Sequence, residues 1–118
     1  MSKKYFGEWD NGEEYPLVKK EDYYVGFDVD NMTAIEISKL DILCAAYDHE
    51  SYSGDAFVLF RKDGKLYEVN DSHCSCYGLQ SWEPEETTKQ ALLNRSDSYG
   101  VWGHYGDELK KIINDLPE

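Results

Sequence analysis

Ala56-Phe57-Val58-Leu59-Phe60-Arg61-Lys62-Asp63-Gly64-Lys65-Leu66-Tyr67-Glu68-Val69 is the stretch that decides the fold class of this chain. β-Branched and aromatic residues fill both arms, and such side chains suit a pleated, half-buried surface. Between the arms stands Asp63-Gly64, a dipeptide that tolerates the positive φ angles of a two-residue hairpin turn. The stretch reads as a β-hairpin, Ala56 to Arg61 and Leu66 to Val69, turning at Lys62-Asp63-Gly64-Lys65.

Working upstream, Asp41 to Tyr47 (DILCAAY) is a short apolar run with the length of a buried strand. Asp48 to Asp55 (DHESYSGD) is polar and contains glycine, so it reads as the loop between two antiparallel strands, completing a three-stranded meander. Asn31 to Leu40 stays open between strand and helix, because Ile35, Ile37 and Leu40 suit a strand face or one helical turn. Tyr23 to Val29 alternates loosely, as a strand does. The first thirty residues hold eight acids against four lysines, together with seven aromatics. Asn11-Gly12 is a turn signal and Pro16 argues against a helix, so the segment reads as an ordered loop or short strands whose aromatics dock on the main body.

Downstream, Asn70 to Leu79 (NDSHCSCYGL) reads as irregular. Trp82 to Thr88 (WEPEETT) reads as a helix opening, since a proline near the first turn and adjacent acids suit the positive end of the helix dipole. That helix is expected to run to Arg95, about three turns. Ser96 to Gly106 (SDSYGVWGHYG) reads as a glycine- and aromatic-rich loop. Leu109, Ile112, Ile113 and Leu116 then fall at amphipathic spacing before Pro117. The expected fold class is α+β: a small antiparallel sheet of three or more strands with two C-terminal helices packed on one face. One domain is expected over residues 1–118, with 1–30 the acidic, aromatic-rich segment, 31–79 sheet and loop, and 82–118 the helical part. A chain of 118 residues can bury a core without disulfides or metals as staples.

With 24 Asp and Glu against 12 Lys and Arg, the formal net charge is −12. Such a charge repels nucleic acid and anionic membrane and favours encounter with basic protein surfaces. Solubility alone also accounts for an acidic surface. The basic residues are scattered singly or in pairs, so no stripe suits direct nucleic-acid binding. Three cysteines make an odd count, no apolar run follows Lys3-Lys4, and none approaches the roughly 18–20 residues of a membrane span. A reducing, intracellular compartment is the expectation.

Two chemical motifs are weighed and set aside. His73-Cys74-Ser75-Cys76, with Cys44 and His49 elsewhere, lacks the paired spacing of a zinc site, so no metal and no cofactor is expected. A cysteine nucleophile at Cys74 or Cys76 needs a base close in space, which sequence does not supply, and no catalytic residue is assigned. A small enzyme or nucleotide-sequestering protein built on His73, Cys74 and Cys76 remains the alternative reading. Phosphate-binding glycine loops, HExxH, EF-hand and GxSxG patterns do not occur.

Acids and aromatics interleave in Gly7 to Tyr15, Glu21 to Tyr24 and Tyr47 to Asp55, and the chain has ten tyrosines. Tyrosine gives large, stiff contacts at interfaces, and carboxylates beside it pair with arginine and lysine. The candidate partner-binding residues are therefore Glu13, Glu14, Glu21, Asp22, Tyr47, Asp48, Glu50, Tyr52 and Asp55.

GDAFVLFRKDGKLYEVNDSHCSCYGL (Gly54 to Leu79), followed by WEPEETTKQALLNR (Trp82 to Arg95), resembles a group of small uncharacterised proteins of bacteriophages and bacterial mobile elements. The likeness covers about forty residues of the middle of the chain. It implies a phage-borne protein acting in the bacterial cytoplasm, and it assigns no residue a catalytic part. Small acidic phage proteins of this look resemble anti-CRISPR and other anti-defence proteins. The implied partner is a basic, nucleic-acid-binding protein or complex of a bacterial defence system, met without direct contact to nucleic acid or membrane.

Overall fold

The computed structural model describes residues 4–10, 17–18, 26–50, 53–74, 79, 82–95 and 100–116. Along the chain these form β1 (Tyr5–Gly7), α1 (Asn31–Ser38), β2 (Asp41–Glu50), β3 (Ser53–Lys62), β4 (Lys65–Cys74), β5 (Glu85–Thr87), α2 (Lys89–Leu93) and α3 (Gly100–Asn114). The strands build one sheet in the order β1-β2-β3-β4-β5. β1 runs parallel to β2, and every other neighbouring pair is antiparallel. The α+β class, the meander and the two C-terminal helices are as the sequence leads one to expect.

The hairpin at the centre follows from its turn. Asp63 and Gly64 take φ values of +53° and +79°, the doubly positive pair of a turn whose twist matches that of the flanking strands. Lys62 then pairs with Lys65, and the register runs unbroken to Ser53 opposite Cys74. Alternation sorts β3 cleanly: Ala56, Val58 and Phe60 enter one core, Phe57 and Leu59 the other. β2 follows the same logic with one interruption. Ile42 pairs with Phe60 but Cys44 pairs with Leu59, so Leu43 is an extra residue, a β-bulge. The bulge reverses the parity, sending Ile42 to one core and Cys44, two residues on, to the other.

Both faces of the sheet are covered. On one face lie Leu92 of α2 and Val101, Trp102, Leu109 and Ile113 of α3, against Phe6, Cys44, Phe57 and Leu59. On the other lie Ile37 of α1 with Trp9, Leu17, Phe27 and Leu79, against Ala45, Tyr47, Val58 and Val69. Each fully buried leucine or phenylalanine contributes about 1.5–3 kcal/mol to this packing. Trp9 and Phe6 show the expected docking of N-terminal aromatics on the sheet, both being buried.

Several local expectations are corrected. β2 extends to Glu50 and β3 begins at Ser53, so most of 48–55 is strand rather than loop. β4 continues to Cys74, through part of the stretch expected to be irregular. Asn31 to Ser38 resolves to helix. Asp30 caps it by accepting a hydrogen bond from the Thr33 amide at 2.8 Å, which outweighs the strand-like spacing of Ile35 and Ile37. No strand covers the described part of 23–29; Phe27 makes a single bridge to Val18.

The largest corrections fall after β4. Glu85-Glu86-Thr87 is not a helix opening but an edge strand, paired with Glu68-Tyr67-Leu66. Thr88 is the helix cap instead, its hydroxyl accepting from the Ala91 amide at 3.1 Å, and α2 is five residues long. Gly100 to Gly106, expected as loop, forms the first half of α3 because Val101, Trp102 and Gly106 are buried against the sheet. Packing there overrides the weak helix propensity of glycine.

Candidate functional site

Of the nominated residues, Tyr47, Asp48, Glu50 and Asp55 lie on β2 and β3, near where β2 ends and β3 begins. Asp48 and Asp55 are register partners on these strands. Each is engaged by α3. The Asp48 Oδ2 lies 2.8 Å from the His104 Nδ1, and the Asp48 side chain is only 13% exposed. The Asp55 Oδ2 accepts a 3.0 Å hydrogen bond from the Val101 amide, where the first turn of α3 has no helical acceptor. Gly100 fits beside it at φ +67°, and a Cβ there would meet the Asp55 Oδ2 at 2.7 Å.

Tyr47 is a correction. It is 2% exposed and packs against Trp9, ring centroids 5.5 Å apart, so it does not offer its ring to a partner. Its phenol is pushed up to about 12, first by burial and then by the Glu8 and Asp71 carboxylates. Alternation explains the burial: Ala45 and Tyr47 share the face covered by Trp9 and Phe27. Glu50 ends β2, and only its backbone is described. Glu13, Glu14, Glu21, Asp22 and Tyr52 lie outside the described residues, as does Cys76. His73 and Cys74 close β4 opposite Gly54 and Ser53.

Cys44 is fully buried, and burial pushes its thiol up to about 12, so it carries no thiolate at neutral pH. Among the described residues, no group of three or more His, Cys, Asp or Glu comes together as a metal site.

A charged pair that sequence reasoning missed seals the edge of the α2–α3 face. Glu68 is buried, and Arg95 donates to its Oε1 while the Asn70 Nδ2 donates to the same oxygen at 2.7 Å. The guanidinium of Arg95 also lies over the rings of Trp102 and Phe57, at 5.4 and 5.9 Å from their centroids. Burial alone would raise the Glu68 carboxyl, but hydrogen bonds from Thr87, Arg95 and Asn70 and the Arg95 charge hold it below the usual carboxylate range. The two residues stand 27 apart in sequence, so no local pattern announces the pair.

Internal use of cations extends beyond Arg95. The Lys89 Nζ donates to the Leu116 carbonyl at 2.7 Å, and the Lys110 Nζ donates to the Arg95 carbonyl. Exposed carboxylates, by contrast, continue along the hairpin end and the β5 edge: Glu36, Asp41, Asp63, Glu83, Glu85 and Glu86. Glu86 meets Lys65 at 3.4 Å, an exposed pair of small energetic weight.

A cleft of about 600 Å³ opens at this hairpin end, between the last turn of α1, the start of β2, the β3–β4 turn and Trp82. A smaller groove of about 290 Å³ lies between α1 and β1, lined mainly by apolar residues such as Leu17, Ile37 and Ile42. One sequence signal could have found part of the larger cleft. Phe60 and Tyr67 are cross-strand partners of the central hairpin, and their rings stack at 5.5 Å.

No family model, curated protein or solved structure matches the chain.

Proposed function

We propose that this protein is a phage-type inhibitor of a bacterial defence system, with a CRISPR effector as the first target to test. It binds a basic protein surface in the bacterial cytoplasm and thereby blocks nucleic-acid binding there. The observation that carries this reading is the run of exposed carboxylates Glu83, Glu85 and Glu86 at the β5 edge of the sheet. They stand in a chain of formal net charge −12. Lysine- and arginine-lined channels built for phosphates attract such a surface, and steering raises the rate of encounter.

The contact set follows from which carboxylates face solvent. Glu83, Glu85 and Glu86 on the β5 edge enter it. Glu13, Glu14, Glu21, Asp22, Glu50 and Tyr52 stay in it from the sequence, whereas Asp48 and Asp55 already serve α3.

The test is competition for labelled target DNA on purified CRISPR effector complexes at low and high salt. Inhibition is expected at low salt and to fall as salt rises. Reversing Glu83, Glu85 and Glu86 to lysine is expected to slow association about tenfold or more. Inhibition of no effector, or inhibition indifferent to salt and to these reversals, would sink the proposal.

A further inference from the structure

We propose that the cleft at the hairpin end binds a free nucleotide, with its base on an aromatic shelf and its phosphate among Lys39, Arg61 and Lys62. This inference is independent of the acidic-surface reading. At about 600 Å³ the cleft falls within the usual size of small-ligand sites, about 300–1,000 Å³. Its aromatic wall consists of Phe60, Tyr67 and Trp82. Phe60 is buried and stacks with Tyr67 at an interplanar angle of 17° and with Trp82 at 13°. Tyr67 and Trp82 are only half-buried, so nearly parallel ring planes line a solvent-open groove. Such planes suit a flat heterocycle, because every base has a π-face to stack.

The charges around this shelf are the second observation. Lys39, Arg61 and Lys62 line the cleft, and among the described residues none has an ion-pair partner. In a chain with twice as many acids as bases, three unpaired cations at one cleft are out of proportion. The Nη2 of Arg61 is buried with no hydrogen-bond partner. An unpaired, desolvated donor is unfavourable, and no hydrogen bond holds this nitrogen against turning toward an anion. Arg61 also lines a smaller cleft with Lys65, Glu86 and Lys89.

Glu36, Asp41 and Asp63 line the same cleft as the cations. A plain anion gains nothing from them. A nucleotide does, since its exocyclic amines and ribose hydroxyls donate hydrogen bonds that carboxylates accept. The whole-chain charge of −12 decides between a nucleotide and a strand of nucleic acid. A long polyanion is repelled over its full length, whereas one phosphate group needs only Lys39, Arg61 and Lys62 among a lining that also holds three carboxylates.

The test is an NMR titration of the full chain with each of the four ribonucleoside monophosphates. Nucleosides, inorganic phosphate and a short single-stranded oligonucleotide serve as separate arms. At least one mononucleotide is expected to give saturable shifts at the Trp82 indole and at the amides of residues 39–41 and 60–63. Nucleoside and phosphate alone are expected to bind about tenfold or more weakly, each having lost one half of the contacts. Trp82→Ala is expected to weaken binding by about tenfold or more, the loss of one base stack. Trp82→Phe, which keeps a ring, retains most of it. Arg61→Gln weakens the nucleotide but leaves the nucleoside unchanged, and it stays informative if Trp82→Ala does not fold. The proposal is overturned by an absence of saturable shifts at millimolar nucleotide. Phosphate binding as tightly as nucleotide, or an oligonucleotide binding more tightly than its monomer, also overturns it.

Discussion

The two ends of the sheet treat their charged residues in opposite ways. At the β2–β3 end, Asp48 and Asp55 are register partners whose carboxylates turn to α3, one toward His104 and the other onto the Val101 amide. At the hairpin end, Lys39, Arg61 and Lys62 line an open cleft without ion-pair partners among the described residues. The Tyr47 to Asp55 part of the acid-and-tyrosine pattern in the sequence lies at the first end. The cations without ion-pair partners among the described residues, Lys39, Arg61 and Lys62, lie at the second. A dense run of polar residues can thus mark structural anchoring, while a site is marked by groups that the fold leaves without partners.

Substitutions break or sharpen this contrast, the largest effect coming from the end where residues are structural. Tyr47→Ala removes a buried ring between Trp9 and His49 and is expected to lower stability by about 3–5 kcal/mol in urea unfolding. A loss below about 1 kcal/mol, typical of surface positions, would return Tyr47 to the surface and undo the comparison.

Arg95→Ala strands the buried Glu68 carboxylate and is expected to cost about 3 kcal/mol, the lower end of the range because Arg95 is 28% exposed. The pair also predicts an acid response. The Glu68 carboxyl is held low in the folded state, so its contribution is present above the unfolded pKa of about 4.3 and lost as pH falls through the folded value. Stability measured from pH 7 downward should therefore fall less steeply in Glu68→Gln than in the parent. Equal slopes would remove the pair from the account of the fold.

Asp55→Ala should cost about 1 kcal/mol, the usual loss of a helix-capping acceptor. Gly100→Ala should cost at least as much, because it forces a side chain into a positive φ and against the Asp55 oxygens. Thermal melts check both. If neither moves the midpoint, Asp55 is available to a partner after all.

At the other end, Lys39→Ala and Lys62→Ala are expected to change stability by no more than about 0.5 kcal/mol. They should nevertheless weaken nucleotide binding in the same titration. A stability loss without a binding loss would make the hairpin end structural and erase the difference between the ends.

How much was legible follows from the range of the interactions. The central hairpin could be read because its signal is local: Asp63 and Gly64 accept positive φ, and the flanking runs alternate. α3 beyond Asp107 could be read from Leu109 and Ile113, which are fully buried. Its first half could not, because Val101 and Trp102 become helical by packing on the sheet, with Trp102 edge-on to Phe57 at 4.9 Å. β5 was misread because Pro84 and its neighbouring acids carry a local helix-start signal, and only pairing with Leu66 to Glu68 overrides it. The cleft was not read from the sequence, although the hairpin register held part of it. Phe60 and Tyr67 announce themselves as a cross-strand pair, but Trp82 joins them from a distant part of the chain.

The amino-acid sequence by itself determined the acidic charge, the hairpin with its turn, the buried strand Asp41 to Tyr47 and the amphipathic end of α3. Each of these rests on residues a few positions apart, where covalent connectivity brings the interacting groups together. The tertiary structure alone decided that Tyr47 is core, that Asp48 and Asp55 anchor α3, and that Glu68 meets Arg95. It also decided that aromatic rings and unpaired cations share one cleft. Those outcomes depend on contacts between groups far apart in the chain. Their energies exist only once the sheet has brought the partners together and excluded water from between them.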